Sequence, residues 1–150
     1  MFVIAVAALL HDVDDYKLFS TTDYQNARTF LRSSGIPEGQ EQKIIETIDS
    51  VSFSKNRDRR PETLEGQIVQ DADRLDALGA IGIARTFAFG GEHGRPMEQT
   101  FRHFDEKLLL LKDMMNTKAA KMIAQERHEF MEKYLKQLNQ EIKASEPLRS

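Results

Sequence analysis

The sequence predicts an all-α fold, a bundle of about five to six helices. Three observations carry this reading. Apolar residues recur mostly at spacings of three and four, which stripes one face of a helix. The apolar–polar alternation of a half-buried strand is scarce. Helix punctuation brackets the periodic stretches, with Thr22, Asp23 and Pro37 at starts and Gly35 at an end. A length of 150 residues suits one domain with one core, so residues 1–150 are expected to form a single helical domain.

The elements follow in order. Residues 2–12, beginning FVIAVAALL, read as a first, largely buried helix, and a polar turn comes next. TTDYQNARTFLRSSG reads as a second helix, capped by Thr22 or Asp23 and ended by Gly35. IPEGQEQKIIETIDSVS reads as a third, with Pro37 near its N-terminus. FSKNRDRRP is a basic loop, in which Lys55, Arg57, Arg59 and Arg60 are expected to be solvated. A fourth helix is predicted from about Glu62 to Phe89. Its small residues Ala77, Gly79, Ala80, Gly82 and Ala84 would admit a close neighbour, against a helix penalty of about 1 kcal/mol per glycine. GGEHGRP is a loop, and helices over about 97–115 and 117–144 complete the chain. In the last of these, Ile123, Phe130, Met131, Tyr134, Leu138 and Ile142 form the expected core stripe.

Composition narrows function. The net charge of −3 supplies no positive field for a nucleic-acid polymer or an anionic membrane. The absence of cysteine excludes disulfides, thiolate metal sites and a cysteine nucleophile, and fits a cytoplasmic location. MFVIAVAALL lacks the basic start and cleavage site of a signal peptide and is too short to span a bilayer. It is expected to be a buried helix whose beginning lies outside this chain. An uncovered apolar face of Val3, Ala5, Ala8 and Leu9 would then favour a homo-oligomer. No Gly-rich phosphate loop is present, because GGEHG lacks the Lys-Ser/Thr that would follow.

The chemistry concentrates in two places. The first apolar helix ends in His11 and Asp12, and IVQDADRLDALGAIG carries Asp71, Asp73 and Asp76 in an otherwise apolar setting. Buried carboxylates need a metal, a cationic partner or solvent. Adjacent helical residues point about 100° apart, so His11 and Asp12 can share one ion only where the helix ends or where the ion sits at its edge. A metal at His11, Asp12 and Asp73 stands against a plain core histidine with surface aspartates.

AALLHDV, followed about 60 residues later by IVQDADRLDALGAIGIARTFAFGG, resembles the HD-domain superfamily of metal-dependent phosphohydrolases. More narrowly it resembles a bacterial, largely uncharacterised HD branch, and the similarity extends through HFDEKLLLLKDMMNTKAA and ERHEFMEKYLKQ. The resemblance implies a helical HD fold and a divalent metal ion (Mn, Fe, Co, Ni or Zn, with Mg less suited). It assigns His11, Asp12 and Asp73 as ligands and Asp71 as an acid behind them or a structural one. Asp12 and Asp15 would take part in catalysis, Asp15 in proton transfer. Lys17 and Arg74 would contact phosphate, with a surface lysine and an internal salt bridge as their rivals.

The family's first histidine precedes the His-Asp pair, and none precedes His11 here, so three of four expected ligands are present. This suggests a fragment, a late start or a lost helix. Glu46 and Val51 stand where two-metal relatives place further histidines, which implies one metal ion. The short GGEHGRPMEQTFRHF segment implies a reduced substrate lid. His93 is expected to be solvated, and His103 and His128 to pack or hydrogen-bond. The implied function is hydrolysis of a phosphomonoester, a nucleotide or related small metabolite. The alternative is a non-catalytic HD-like binding or scaffold domain.

Overall fold

Every regular element among the described residues of the computed structural model is helical. The structure describes residues 1–16, 18–51, 56 and 59–145. Seven α-helices and one 3-10 helix are found there: α1 (Phe2–Leu10), α2 (Gln25–Ser33), α3 (Glu38–Val51), α4 (Leu64–Asp76), α5 (Gly79–Glu92), α6 (Met97–Glu106), the 3-10 helix (Leu108–Met114) and α7 (Lys118–Ser145). The chain divides into two compact units, Met1–Asp73 and Arg74 onward.

In the first unit α1 and α2 both pack on α3. Ala7, Leu10, Ala27, Leu31, Ile44, Ile45, Ile48, Val51 and Val69 form its core. Val3, expected to be uncovered, packs against that core, whereas Ala5, Ala8 and Leu9 are exposed. The end of α2 matches its prediction. Gly35 takes φ +71°, its N–H donates to the Arg32 carbonyl, and the Ile36 N–H donates to that of Leu31. This is a Schellman closure, which needs a left-handed residue at the glycine position.

The start of α2 differs from expectation. Neither Thr22 nor Asp23 caps it. Asp14, from the turn after α1, accepts the N–H groups of Asn26 (3.0 Å) and Ala27 (2.9 Å) and the Thr21 hydroxyl (2.6 Å). The Asn26 amide donates back to the Val13 carbonyl at 2.7 Å. Asp23 and Tyr24 instead turn the chain through left-handed backbone, with φ of 52° and 56°. Between α2 and α3, the buried Glu41 carboxylate accepts from Arg28 (2.9 Å) and from Arg32 (2.8 Å and 3.0 Å). A buried carboxylate paired this fully escapes the penalty of an isolated charge, and the two guanidinium groups hold it below the usual carboxylate range, Arg32 foremost.

The predicted fourth helix is two helices. α4 stops at Asp76 and α5 begins at Gly79, which has φ +73°. A Cβ on Gly82 would stand 2.2 Å from the Ala77 carbonyl oxygen, so the glycine makes room for the end of the preceding helix. At the break the Leu75 carbonyl accepts the Leu78 N–H at 3.1 Å and the Arg127 guanidinium at 2.6 Å. Gly82 therefore serves the break, while Gly79 also admits a close neighbour as expected, since a Cβ there would stand 3.0 Å from the Arg127 side chain of α7.

α5 also runs into the predicted glycine loop. It ends at Glu92 in a second Schellman closure, with Gly94 at φ +60° and the Arg95 N–H on the Gly90 carbonyl at 2.8 Å. The helix predicted over 97–115 is α6 followed by the 3-10 segment. On α7 the buried residues are Ala120, Ala124, His128 and Met131, while Ile123, Phe130 and Tyr134 of the predicted core stripe are exposed.

Two substitutions test these features. Asp14→Ala is expected to lower the unfolding free energy by about 1 kcal/mol in urea titration. Burial pushes the Asp14 carboxyl up, but the Thr21 hydroxyl and the Ala27 and Asn26 N–H groups together hold it below its ordinary value. Its contribution is therefore full above the unfolded carboxylate pKa and fades as pH falls through the lower folded value. Asp14→Asn should show a weaker loss of stability in acid than the parent. Gly82→Ala is expected to destabilise by roughly 2–3 kcal/mol through overpacking against backbone, read as a lower thermal midpoint.

Candidate metal centre

His11 is the residue on which α1 ends, with φ −62° and ψ −27°. Its Nδ1–H donates to the Ala8 carbonyl at 2.8 Å. A carbonyl can only accept, so this bond fixes the proton on Nδ1 and leaves Nε2 as the reactive nitrogen. Nε2 lies 3.3 Å from an Asp12 carboxylate oxygen and 3.6 Å from one of Asp73. The helix-end position allows adjacent His11 and Asp12 to converge, as geometry requires. Asp73 arrives from α4.

The electrostatics favour positive charge at this point. The His11 pKa rises from 6.5 to about 9, chiefly through the Asp73 carboxylate that faces Nε2, against the opposing effect of burial. The Ala8 carbonyl and the charges of Asp12 and Asp73 add to the rise. A position that holds a proton this firmly between two carboxylates suits a cation. The donor set, one imidazole nitrogen and carboxylate oxygens, matches first-row divalent metals. Among the described residues, no three histidine or carboxylate side chains are spaced to hold a metal ion as they stand.

The remaining predicted residues are placed differently. Asp71 is buried, and two residues along α4 set it roughly 200° around the helix from Asp73. Asp15 is half-buried in the turn after α1, where its carbonyl accepts the N–H groups of Leu18 and Phe19. Arg74 is buried, and its guanidinium donates to the Met114 carbonyl. It thus clasps the backbone of the 3-10 segment. Lys17 lies outside the described residues, as do Lys55 and Arg57 of the basic loop. Arg60 bonds the Gln67 side chain at 3.0 Å.

His93 is exposed and stacks on Phe89 at 3.9 Å. His103 is half-buried, and burial lowers its pKa. His128 is buried, with Nε2 3.4 Å from Glu132. Sequence reasoning did not find Asp14, whose capping role depends on groups 7–13 residues away. The only local signal was its place among three aspartates in HDVDD.

The His11 environment yields a measurable outcome. In metal-free protein, its imidazole should titrate by NMR near pH 9. Asp73→Asn should bring that value down markedly. Because the folded pKa is the higher one, the stabilisation is fully present below about 6.5 and is lost as pH rises through about 9.

Comparison with known proteins gives the same family. The HD domain family profile matches residues 1–78. YpgQ of Bacillus subtilis is 41% identical over 153 residues, spanning 95% of this chain and 73% of that protein. The crystal structure of YpgQ in complex with ADP superposes with a TM-score of 0.81 at 44% identity, covering 94% of this chain and 76% of that one. An HD-superfamily hydrolase from Bacillus thuringiensis gives a TM-score of 0.74 at 42% identity, over 96% of this chain and 75% of that one. With a His-Asp pair at a helix end, an aspartate facing it from a second helix, and relatives similar over nearly its whole length, the chain belongs to the HD-domain family.

Proposed function

We propose that this protein is a divalent-metal-dependent phosphohydrolase that acts on a phosphomonoester of nucleotide type. The observation that carries the proposal is the presentation of His11 Nε2, pinned through Nδ1, to the carboxylates of Asp12 and Asp73. The similarity to an HD-superfamily hydrolase supports the reaction class. The similarity to YpgQ, crystallised with ADP, supports a nucleotide.

In this reading His11 would hold the ion through Nε2, and Asp12 and Asp73 through carboxylate oxygens. A bound ion supplies Lewis-acid polarisation of a phosphoryl oxygen and acidifies water at neutral pH. Two carboxylates opposite a divalent charge leave the site near neutral, which lets an anionic phosphate enter without strong repulsion. The bond from Nδ1 to the Ala8 carbonyl holds the imidazole plane in place, as partners of metal-bound histidines commonly do. Asp15, in the adjoining turn, is assigned to proton transfer at the leaving group. Asp71, buried on α4, is assigned to holding that helix's acidic segment in register. A partner that is a small phosphorylated metabolite, in a cytoplasmic setting, completes the proposal; among the described residues no helix is long and apolar enough to cross a membrane.

A second reading, a non-catalytic HD-like module, draws on the closure of both carboxylates onto His11 without a ready three-ligand set. One experiment separates the two. Purified protein is loaded with Mn, Fe, Co, Ni, Zn or Mg, the bound metal is counted, and phosphate release is followed on a panel of nucleoside mono-, di- and triphosphates. Stoichiometric metal and turnover are expected. Asp73→Ala should remove both, with a fall in turnover of at least about 100-fold, the upper range for disturbing groups that only support ligands. A folded protein with no metal above background and no release on any substrate would establish the non-catalytic reading.

A further inference from the structure

The long helix α7 carries an apolar strip that its own fold leaves uncovered. Ile123, Phe130 and Tyr134 are 42%, 50% and 38% exposed. At about 100° per residue the three fall within roughly 40° of one another around the helix. The buried side of α7, marked by Ala124 and Met131, lies a quarter-turn away. Tyr134 is anchored from behind by Phe87, with ring centroids 6.3 Å apart, so the strip has a fixed surface at this end.

The charges beside the strip indicate its occupant. Glu126 and Lys133 are seven residues apart, so they sit on the same flank of the strip, one heptad from each other. Both are exposed. Among the described residues, neither forms an ion pair within the chain. A parallel pairing about a two-fold axis carries this flank to the far side of the second copy's strip, where neither Glu126 nor Lys133 meets an opposite charge of the same pair. An antiparallel pairing about a two-fold axis keeps the same flank together but reverses the order. Glu126 then faces Lys133 of the second copy, and Lys133 faces its Glu126. In this register Tyr134 lies about 3 Å along the helix from Ile123 of the second copy, with the two Phe130 rings near the axis. An isologous interface requires self-complementarity of this kind.

We infer that the Ile123–Phe130–Tyr134 face of α7 is a homodimer interface, paired antiparallel with the same face of a second copy through reciprocal Glu126–Lys133 contacts. Its area is that of a single helix pair, at the small end of specific interfaces, so association on the order of micromolar is expected.

Sedimentation velocity of the full chain, from roughly 1 to 200 μM, reads the equilibrium directly, and circular dichroism melts check that each variant is folded. The parent should pass from monomer to dimer, and Phe130→Glu should remain monomeric throughout. Glu126→Lys should weaken the dimer by about 10-fold or more, because it sets like charges together twice. Adding Lys133→Glu to Glu126→Lys should restore it. The inference is overturned by a parent that stays monomeric. It is equally overturned by a dimer indifferent to Phe130→Glu, or by a double reversal no tighter than the single one.

Discussion

The hydrogen bond from His11 Nδ1 to the Ala8 carbonyl decides what the rest of the candidate centre can be. It closes the last turn of α1 and satisfies a carbonyl that would otherwise lack a donor. It also selects the nitrogen that faces outward. With Nδ1 committed, Nε2 is directed at Asp12 and Asp73, and the two carboxylates raise the imidazole pKa to about 9. One local bond thus ends a helix, fixes a tautomer and creates a position that attracts a cation.

Three residues further, Asp14 performs a different task with the same chemistry. Its carboxylate is consumed by the N–H groups that open α2 and by the Thr21 hydroxyl. The clustered aspartates after α1 therefore divide their roles. Asp12 turns to the histidine and Asp14 to the next helix. Glu41, farther along, is a third acid whose charge is spent structurally, between Arg28 and Arg32. Which acid serves the site follows from what surrounds it, since burial without a partner would neutralise any of them.

The second unit depends on a break in its chain. Leu78 adopts extended backbone, Gly79 takes a left-handed turn, and Gly82 leaves space for the Ala77 carbonyl. Arg127 and Arg74 donate to the backbone carbonyls of Leu75 and Met114. Both arginines thereby tie backbone segments of this unit together.

The sequence by itself determined the helical class, the helices about α1, α2, α3 and α7, the Gly35 stop, and the pairing of His11-Asp12 with Asp73. These rest on short-range rules: apolar spacing, helix punctuation, and a motif whose residues are fixed in type. Tertiary structure alone decided the rest. Asp14 displaced Thr22 and Asp23 as the cap because its carboxylate is delivered from the preceding turn, beyond any local pattern. The fourth helix divided because Gly79 takes left-handed backbone and Gly82 makes room for the Ala77 carbonyl, features that no periodicity encodes. Ile123, Phe130 and Tyr134 turned outward because burial on α7 follows Ala120, Ala124, His128 and Met131, a choice made by the neighbours of the helix. Local spacing states which residues share a face; only packing settles which of two adjacent faces is covered.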